Sequence, residues 1–223
     1  MDDTKRVITI DGPAGSGKST VAKLLARELN LLYLDTGALY RAVAYKIHST
    51  GIDKPDTAVL KNLLENTRIH LRKNHNGLTV FVDQEDVSQK IRTEEIAVLA
   101  STVSANPLVR EALLPIQRDC TRETGVVAEG RDMGTVVFPG ADFKFYLQAS
   151  TEERAKRRYL ELVEKGLNPE YEAIRESIAL RDKQDTERDV APLRIPEDAR
   201  VIDTSDMTIP DVLDKILGDL RLA

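Results

Sequence analysis

The stretch VITIDGPAGSGKST, Val7 to Thr20, constrains this chain more than any other. Val7, Ile8, Thr9 and Ile10 are all β-branched, the side-chain type that suits a pleated and buried strand. Gly12, Gly17, Lys18 and Ser19 then satisfy G-x-x-x-x-G-K-[ST], with Pro13, Ala14, Gly15 and Ser16 between the glycines. Apolar residues at helical spacing follow in STVAKLLAREL. Strand, glycine-rich loop and helix in that order make a phosphate cradle. Backbone N–H groups converge on phosphate oxygens, and the helix N-terminus adds positive potential. Lys18 is expected to reach the β- and γ-phosphates of a nucleoside triphosphate, and the Ser19 hydroxyl to ligate Mg²⁺. Gly12 through Thr20 are therefore the expected triphosphate-binding residues.

The rest of the chain keeps alternating short β-rich runs with helical patterns. LLYL precedes GALYRAVAYKIHST, VVA and FKFYL follow, and RVID precedes the closing helix IPDVLDKILGDLRL. Such alternation predicts an α/β fold, a parallel sheet flanked by helices. Residues 68–88 break the rhythm: polar and apolar residues alternate around His75-Asn76-Gly77, which predicts an antiparallel hairpin insert. Helical patterns flank the insert, and Asn106-Pro107 punctuates the chain before the next helix. Ser150 and Glu153, in capping-box spacing, open a helix that Gly166 closes, and Arg154, Arg157 and Arg158 share one of its faces.

Several function classes are disfavoured. The formal net charge of −5 and an aromatic content of 4% without Trp argue against a nucleic-acid polymer as partner. No apolar run approaches the length of a membrane span, and the first residues lack the apolar run of a signal peptide. A single cysteine, Cys120, fits a reducing cytosol, and its helical context reads as packing. A cytoplasmic monomer is expected, since no a/d heptad appears. The arginines, by contrast, gather locally in the second half. They read either as a solvated helix face or as clamps for small phosphorylated ligands.

A phosphate loop serves hydrolases and transferases alike. The N-K-x-D and D-x-x-G motifs of a regulatory GTPase are absent from the sequence. VVAEGRD is too short for the strand that precedes the acidic pair of a large ATPase machine. Glu129 after that strand has two readings, a holder of a water bound to Mg²⁺ or a local partner for an arginine. Transfer to an acceptor remains, and an acceptor phosphate, already largely dianionic at neutral pH, needs charge neutralisation more than a base. At this level UMP, AMP or shikimate also qualify as acceptors, and a nucleotide-driven binding module is a second class.

The motifs ITIDGPAGSGKST, YLDTGALYRAVA, IRTEEI, AEGRDMGTVVFP, TEERAKRR and LRDKQDTERDVAPL narrow the choice, because together they resemble the bacterial cytidylate kinase family over essentially the whole chain. The resemblance implies a P-loop nucleotide-kinase fold with a small antiparallel NMP-binding insert and a short lid. Residues 1–35 and 104–223 would form the core, with the lid at about 151–190, and residues 36–103 the NMP-binding lobe. It implies transfer of the γ-phosphoryl group of ATP to CMP or dCMP with Mg²⁺ as cofactor. By motif, Thr36, Tyr40 and Arg41 lie along the acceptor nucleotide, with Arg41 on its phosphate. Ser101 and Arg110 face cytosine, and Asp132 takes its amino group. Arg131 sits near the phosphates, while Arg181, Asp185 and Arg188 close over the acceptor, Asp185 on the ribose. Lys18, Arg131, Arg181 and Arg188 are the implied catalytic group, and Arg154, Arg157 and Arg158 belong to the lid and the ATP side. Two carboxylates keep plain alternatives: Asp132 as a loop partner for an arginine, and Asp185 as a partner for Arg181 one turn earlier. The family often has Ser at position 36 and Asp at 129, where this chain has Thr36 and Glu129.

Overall fold

From the N-terminal side the elements run β1 (Val7–Asp11), α1 (Lys18–Glu28), β2 (Leu32–Asp35), α2 (Thr36–Ser49) and α3 (Thr57–Glu65). Next come β3 (Ile69–Asn74), β4 (Gly77–Val82), β5 (Glu85–Asp86), α4 (Glu94–Val103) and α5 (Pro107–Asp119). The chain closes with β6 (Val126–Gly130), β7 (Phe143–Gln148), α6 (Thr151–Glu164), α7 (Tyr171–Glu187), β8 (Arg200–Asp203) and α8 (Ile209–Arg221). The structure is a computed structural model and describes residues 5–52, 56–74, 77–122 and 124–222.

Five strands form one sheet in the order β2-β6-β1-β7-β8, and every pairing in it is parallel. The strand that opens the sequence is therefore central. Ile8 and Ile10 of β1, Phe145 and Leu147 of β7 and Ile202 of β8 pack with Val21, Leu25, Val212 and Ile216 of α1 and α8. The other face packs Leu34, Val126 and Ala128 against Met133 and Val137. Cover on both faces is why β1 and β6 read as continuous apolar runs rather than alternating ones. Leu25, with no exposed surface, anchors α1; its truncation to Ala removes about 2–5 kcal/mol of packing.

The insert forms as expected and carries a third strand. β3 pairs antiparallel with β4 from Ile69↔Val82 to Asn74↔Gly77, and β4 with β5 through Phe81↔Asp86 and Val82↔Glu85. The His75-Asn76 step of its turn lies outside the described residues. Val80 and Val82 pack on a separate core with Leu39 and Val43 of α2, Leu60 of α3, Ile96 of α4 and Leu113 of α5. β6 runs two residues past the expected VVA, so Glu129 lies inside the strand, beside both Ile10 and Asp35.

Caps fix where the helices begin. The Asp35 side chain accepts from Ala38 N, Asn106 caps α5 just before Pro107, and Ser150 accepts from Glu153 N at 3.1 Å. At the other end of α6, Gly166 N donates to Val163 O and Leu167 N to Leu162 O, a Schellman turn that Gly166 permits with φ 77°. α6 and α7 then pack side by side as a helical pair, with Tyr159 edge-on to Tyr171. Among the described residues no helix is long and apolar enough to cross a membrane.

Candidate active site

The loop after β1 is shaped by close backbone approach. A Cβ on Gly12 would stand 2.1 Å from the Leu147 carbonyl oxygen, so only glycine fits there. Gly17 ends the loop at φ 86° and caps α1. Lys18 is buried and its Nζ donates to Pro13 O at 3.1 Å, curled onto the rim of its own loop. Burial first, and then the positive charge of Arg131, push its amine down to about 7.

Ser19, the next residue, donates its hydroxyl to Glu129 Oε2 at 2.6 Å. The other oxygen of that carboxylate accepts from the Tyr33 hydroxyl, and the Glu129 carbonyl accepts from Thr36 Oγ1 at 2.7 Å. Glu129 is only 3% exposed, so the buried charge rests on two hydroxyls, with Ser19 and Tyr33 in the place one reading gave to an arginine. Burial and the Glu129 charge hold the Tyr33 phenol far above its ordinary pKa, firmly as a donor.

Across from the loop, Asp132 lies at the start of a π-helical turn, Met133–Val137. The turn is hung from β1: Asp11 accepts from Met133 N at 2.9 Å and from Gly134 N at 2.8 Å. Burial raises the Asp11 carboxyl to about 7, and the two N–H donors oppose that rise. Asp132 is 2% exposed; it pairs closely with Arg110 and stands 3.8 Å from Arg188. Its pKa is raised, by burial above all, while those arginines pull it down. Arg110 also donates to Ser104 O at 3.0 Å and lies over the Tyr40 ring at 5.5 Å. Arg131 donates to Asp185 at 2.7 Å, so Arg131 is the partner of that carboxylate, in the place the helix spacing gave to Arg181. Burial would raise the Asp185 pKa; the charge of Arg131 and its hydrogen bond reverse this and hold it low. Arg188 donates to Ala191 O at 2.7 Å and stands 3.8 Å from both Asp132 and Asp185. Arg41 donates to Asp35 at 2.7 Å. Burial, then the charge of a neighbouring arginine, lowers the pKa of Arg181 and of Arg188.

These residues leave hydrogen-bond capacity unused. Arg41 Nε, Ser101 Oγ, Arg181 Nε and Arg188 Nη2 are buried and have no hydrogen-bond partner among the described residues. Buried donors are nearly always satisfied, and the three arginines are near enough to bear on one another or on Asp185, so their unused N–H groups suit a polar, anionic guest.

The three arginines of α6 sit differently. Arg154 and Arg157 lie behind the phosphate loop, Arg154 bonded to Ala14 O and Arg157 to Thr204, whose hydroxyl reaches Ser16 O. Arg158 is more open and pairs with Glu161 and, across to α4, with Glu94. Sequence reading missed Asp11, Tyr33, Asp35 and Asp182. Only Asp35 carried a local signal, a helix-cap residue ahead of GALYR; the others meet partners far along the chain. Cys120 is half-buried at the end of α5 and its thiol is pushed up to about 11 by burial, which suits packing rather than reactivity.

Comparison with known proteins follows the same lines. Residues 8–221 match the cytidylate kinase family model. A cytidylate kinase of Exiguobacterium sp. is 48% identical over 209 residues, 94% of this chain and 93% of the relative. One from Bacillus subtilis is 47% identical over 215 residues, 96% of each. Among solved structures, an uncharacterised protein from Eubacterium ventriosum superposes with TM-score 0.53 at 13% identity, covering 97% of this chain and 98% of its own. A gluconokinase from Sinorhizobium meliloti gives 0.50 at 15% identity, covering 99% and 94%. At such identities the structural likeness speaks for the fold alone. With the phosphate loop, the match over residues 8–221 and these relatives in hand, the chain belongs to the cytidylate kinase family.

Proposed function

We propose that this protein transfers the γ-phosphoryl group of ATP to CMP or dCMP, giving CDP or dCDP and ADP. The observation that carries the reading is a cluster of arginines, Arg41, Arg181 and Arg188, gathered with Arg131 around Asp132 and Asp185 and each keeping a buried N–H without a hydrogen-bond partner among the described residues, in a chain with a phosphate loop. A nucleoside monophosphate supplies what they lack, a dianionic phosphate and a base edge. ATP occupies Gly12 to Thr20, and Lys18 regains its proton beside the triphosphate. The Ser19 hydroxyl, a hard oxygen donor held by Glu129, fits Mg²⁺, which when bound neutralises phosphate charge. Arg157 and Arg158 serve the ATP side.

On the acceptor side Arg41 takes the phosphate, with Thr36 and Tyr40 along the nucleotide. Ser101 and Arg110 donate to cytosine, and the Asp132 carboxylate accepts from its amino group. Uracil would set an oxygen against that carboxylate, which rejects it. Asp185 accepts from the ribose. Arg131, Arg181 and Arg188 neutralise the charge that builds as two phosphate groups approach, so that chemistry is mainly positioning and electrostatics. Residues 36–103 act as the acceptor lobe and α6–α7 as a lid over the core, in a monomer working in the cytoplasm.

An ADP-release assay with ATP and a panel of monophosphates tests the reading. CMP and dCMP should stimulate release strongly, UMP and AMP weakly. Equal stimulation by all four, or by none, overturns it.

A further inference from the structure

We infer that Arg154 is a positioning residue which clamps the phosphate loop to the helix bearing Arg181, and that it makes no contact with ATP. The inference rests on the kinase reading above. Arg154 stands in the first turn of α6, with its side chain 4% exposed. An arginine has five N–H donors in a rigid fork. Here Nε donates to Ala149 O at 3.0 Å; Nη1 donates to Ala14 O at 3.1 Å and Asp182 Oδ1 at 3.0 Å; Nη2 donates to Thr151 Oγ1 at 3.0 Å and Asp182 Oδ2 at 2.6 Å. Every donor is taken, so a phosphate oxygen gains one only by displacing a protein partner.

The partners define what the clamp joins. Ala14 is a residue of the phosphate loop, and the loop lies on the arginine stem: a Cβ added at Gly15 would meet Arg154 Cβ at 3.1 Å. Asp182 is in α7, directly after Arg181, and it receives the fork bidentately, the arrangement that fixes direction as well as distance. Arg181 in turn offers an unpartnered buried Nε and is one of the charges that bear on Lys18. One guanidinium thus sets the distance between the donor loop and a cation expected at the transferring phosphate. Its neighbours on the helix do not span that gap: Arg157 reaches Thr204 and Glu153, and Arg158 reaches Glu161 and Glu94, each with donors to spare.

The test compares Arg154→Lys, Asp182→Asn and the double variant. Two quantities are read: kcat for CMP phosphorylation, and the dissociation constant of a non-hydrolysable ATP analogue in the absence of acceptor. A displacement of one ångström costs on the order of 100-fold in rate, so each single variant should lower kcat about 10- to 100-fold. Analogue binding should stay within about threefold, and the double variant should be no worse than the poorer single, because both substitutions break one link. A direct phosphate contact predicts the reverse: weaker analogue binding in Arg154→Lys, unchanged binding in Asp182→Asn, and additive losses. That outcome overturns the inference. So does wild-type kcat in Asp182→Asn, whose site is the more exposed end of the pair, whatever the fate of Arg154→Lys. A wild-type protein that binds the analogue but does not phosphorylate CMP would instead defeat the kinase reading.

Discussion

Replacing Asp132 by Asn separates the two readings of that carboxylate. The substitution keeps shape and one acceptor oxygen but removes the charge. Asp132 and its neighbours Arg110 and Arg188 are all nearly inaccessible to water, so the two guanidinium groups lose their shared counter-ion. Breaking a buried pair by removing one partner costs about 3–5 kcal/mol. Asp185, 3.8 Å from Arg188, offsets part of this, and the Asn oxygen still accepts from Arg110. At about 2–4 °C per kcal/mol for a chain of this size, the melting temperature should fall by roughly 6–12 °C, toward the lower end of the full cost.

Selectivity reports the second reading. A well-aligned contact to a base edge is worth about 1–3 kcal/mol of discrimination, which is roughly 5- to 150-fold. With Asn the amino group of cytosine loses a charged acceptor, while the uracil oxygen meets an N–H donor where it met a carboxylate. The CMP/UMP ratio of kcat/KM should therefore drop by at least about tenfold, more than the loss on CMP alone. Steady-state kinetics with both acceptors, run well below the variant's melting temperature, measures it. A variant with the lowered melting temperature but a CMP/UMP ratio within about twofold of wild type would refute base reading and leave Asp132 as a counter-ion only.

Two other outcomes are expected. Lys18 in the free site is pushed down to about 7, so at about pH 8 its amine is largely neutral, and a bound triphosphate restores the charge. Calorimetry in buffers of different ionisation heat should find uptake approaching about one proton per ATP at that pH, absent from Lys18→Met; equal uptake in both proteins would rule this out. Tyr33→Phe removes one of the two hydroxyls on the Glu129 carboxylate, and hydrogen bonds to charged groups are worth about 1.5–3 kcal/mol. Mn²⁺ binding to the nucleotide complex, followed by electron paramagnetic resonance, should weaken by about tenfold, and an unchanged affinity would show that Glu129 is held without Tyr33.

How much of this was legible depends on how far apart the interacting residues stand. The phosphate loop was readable because its physics is local: Gly12, Gly17, Lys18 and Ser19 act within eight positions, and left-handed glycine and a helix N-terminus leave a fixed spacing. The hairpin insert, the break at Asn106-Pro107 before α5 and the cap of α6 are local for the same reason. Pairings across the fold are different. Asp11 meets Met133 and Gly134, Tyr33 meets Glu129, and Arg154 meets Asp182, each joined only by the order of strands in the sheet or by the packing of α6 on α7. Spacing along a helix even suggests the wrong partner: Asp185 has Arg181 one turn earlier, yet its carboxylate turns to Arg131 at the end of β6. Residue type without geometry is equally ambiguous. Arg154, Arg157 and Arg158 share one helical face and read alike in sequence, but burial divides them. The first is saturated by protein partners, the second braces Thr204, and the third stands toward water between two glutamates. An arginine's availability to a phosphate is decided by how many of its five donors the fold has already used, and that count belongs to the packing rather than to the motif.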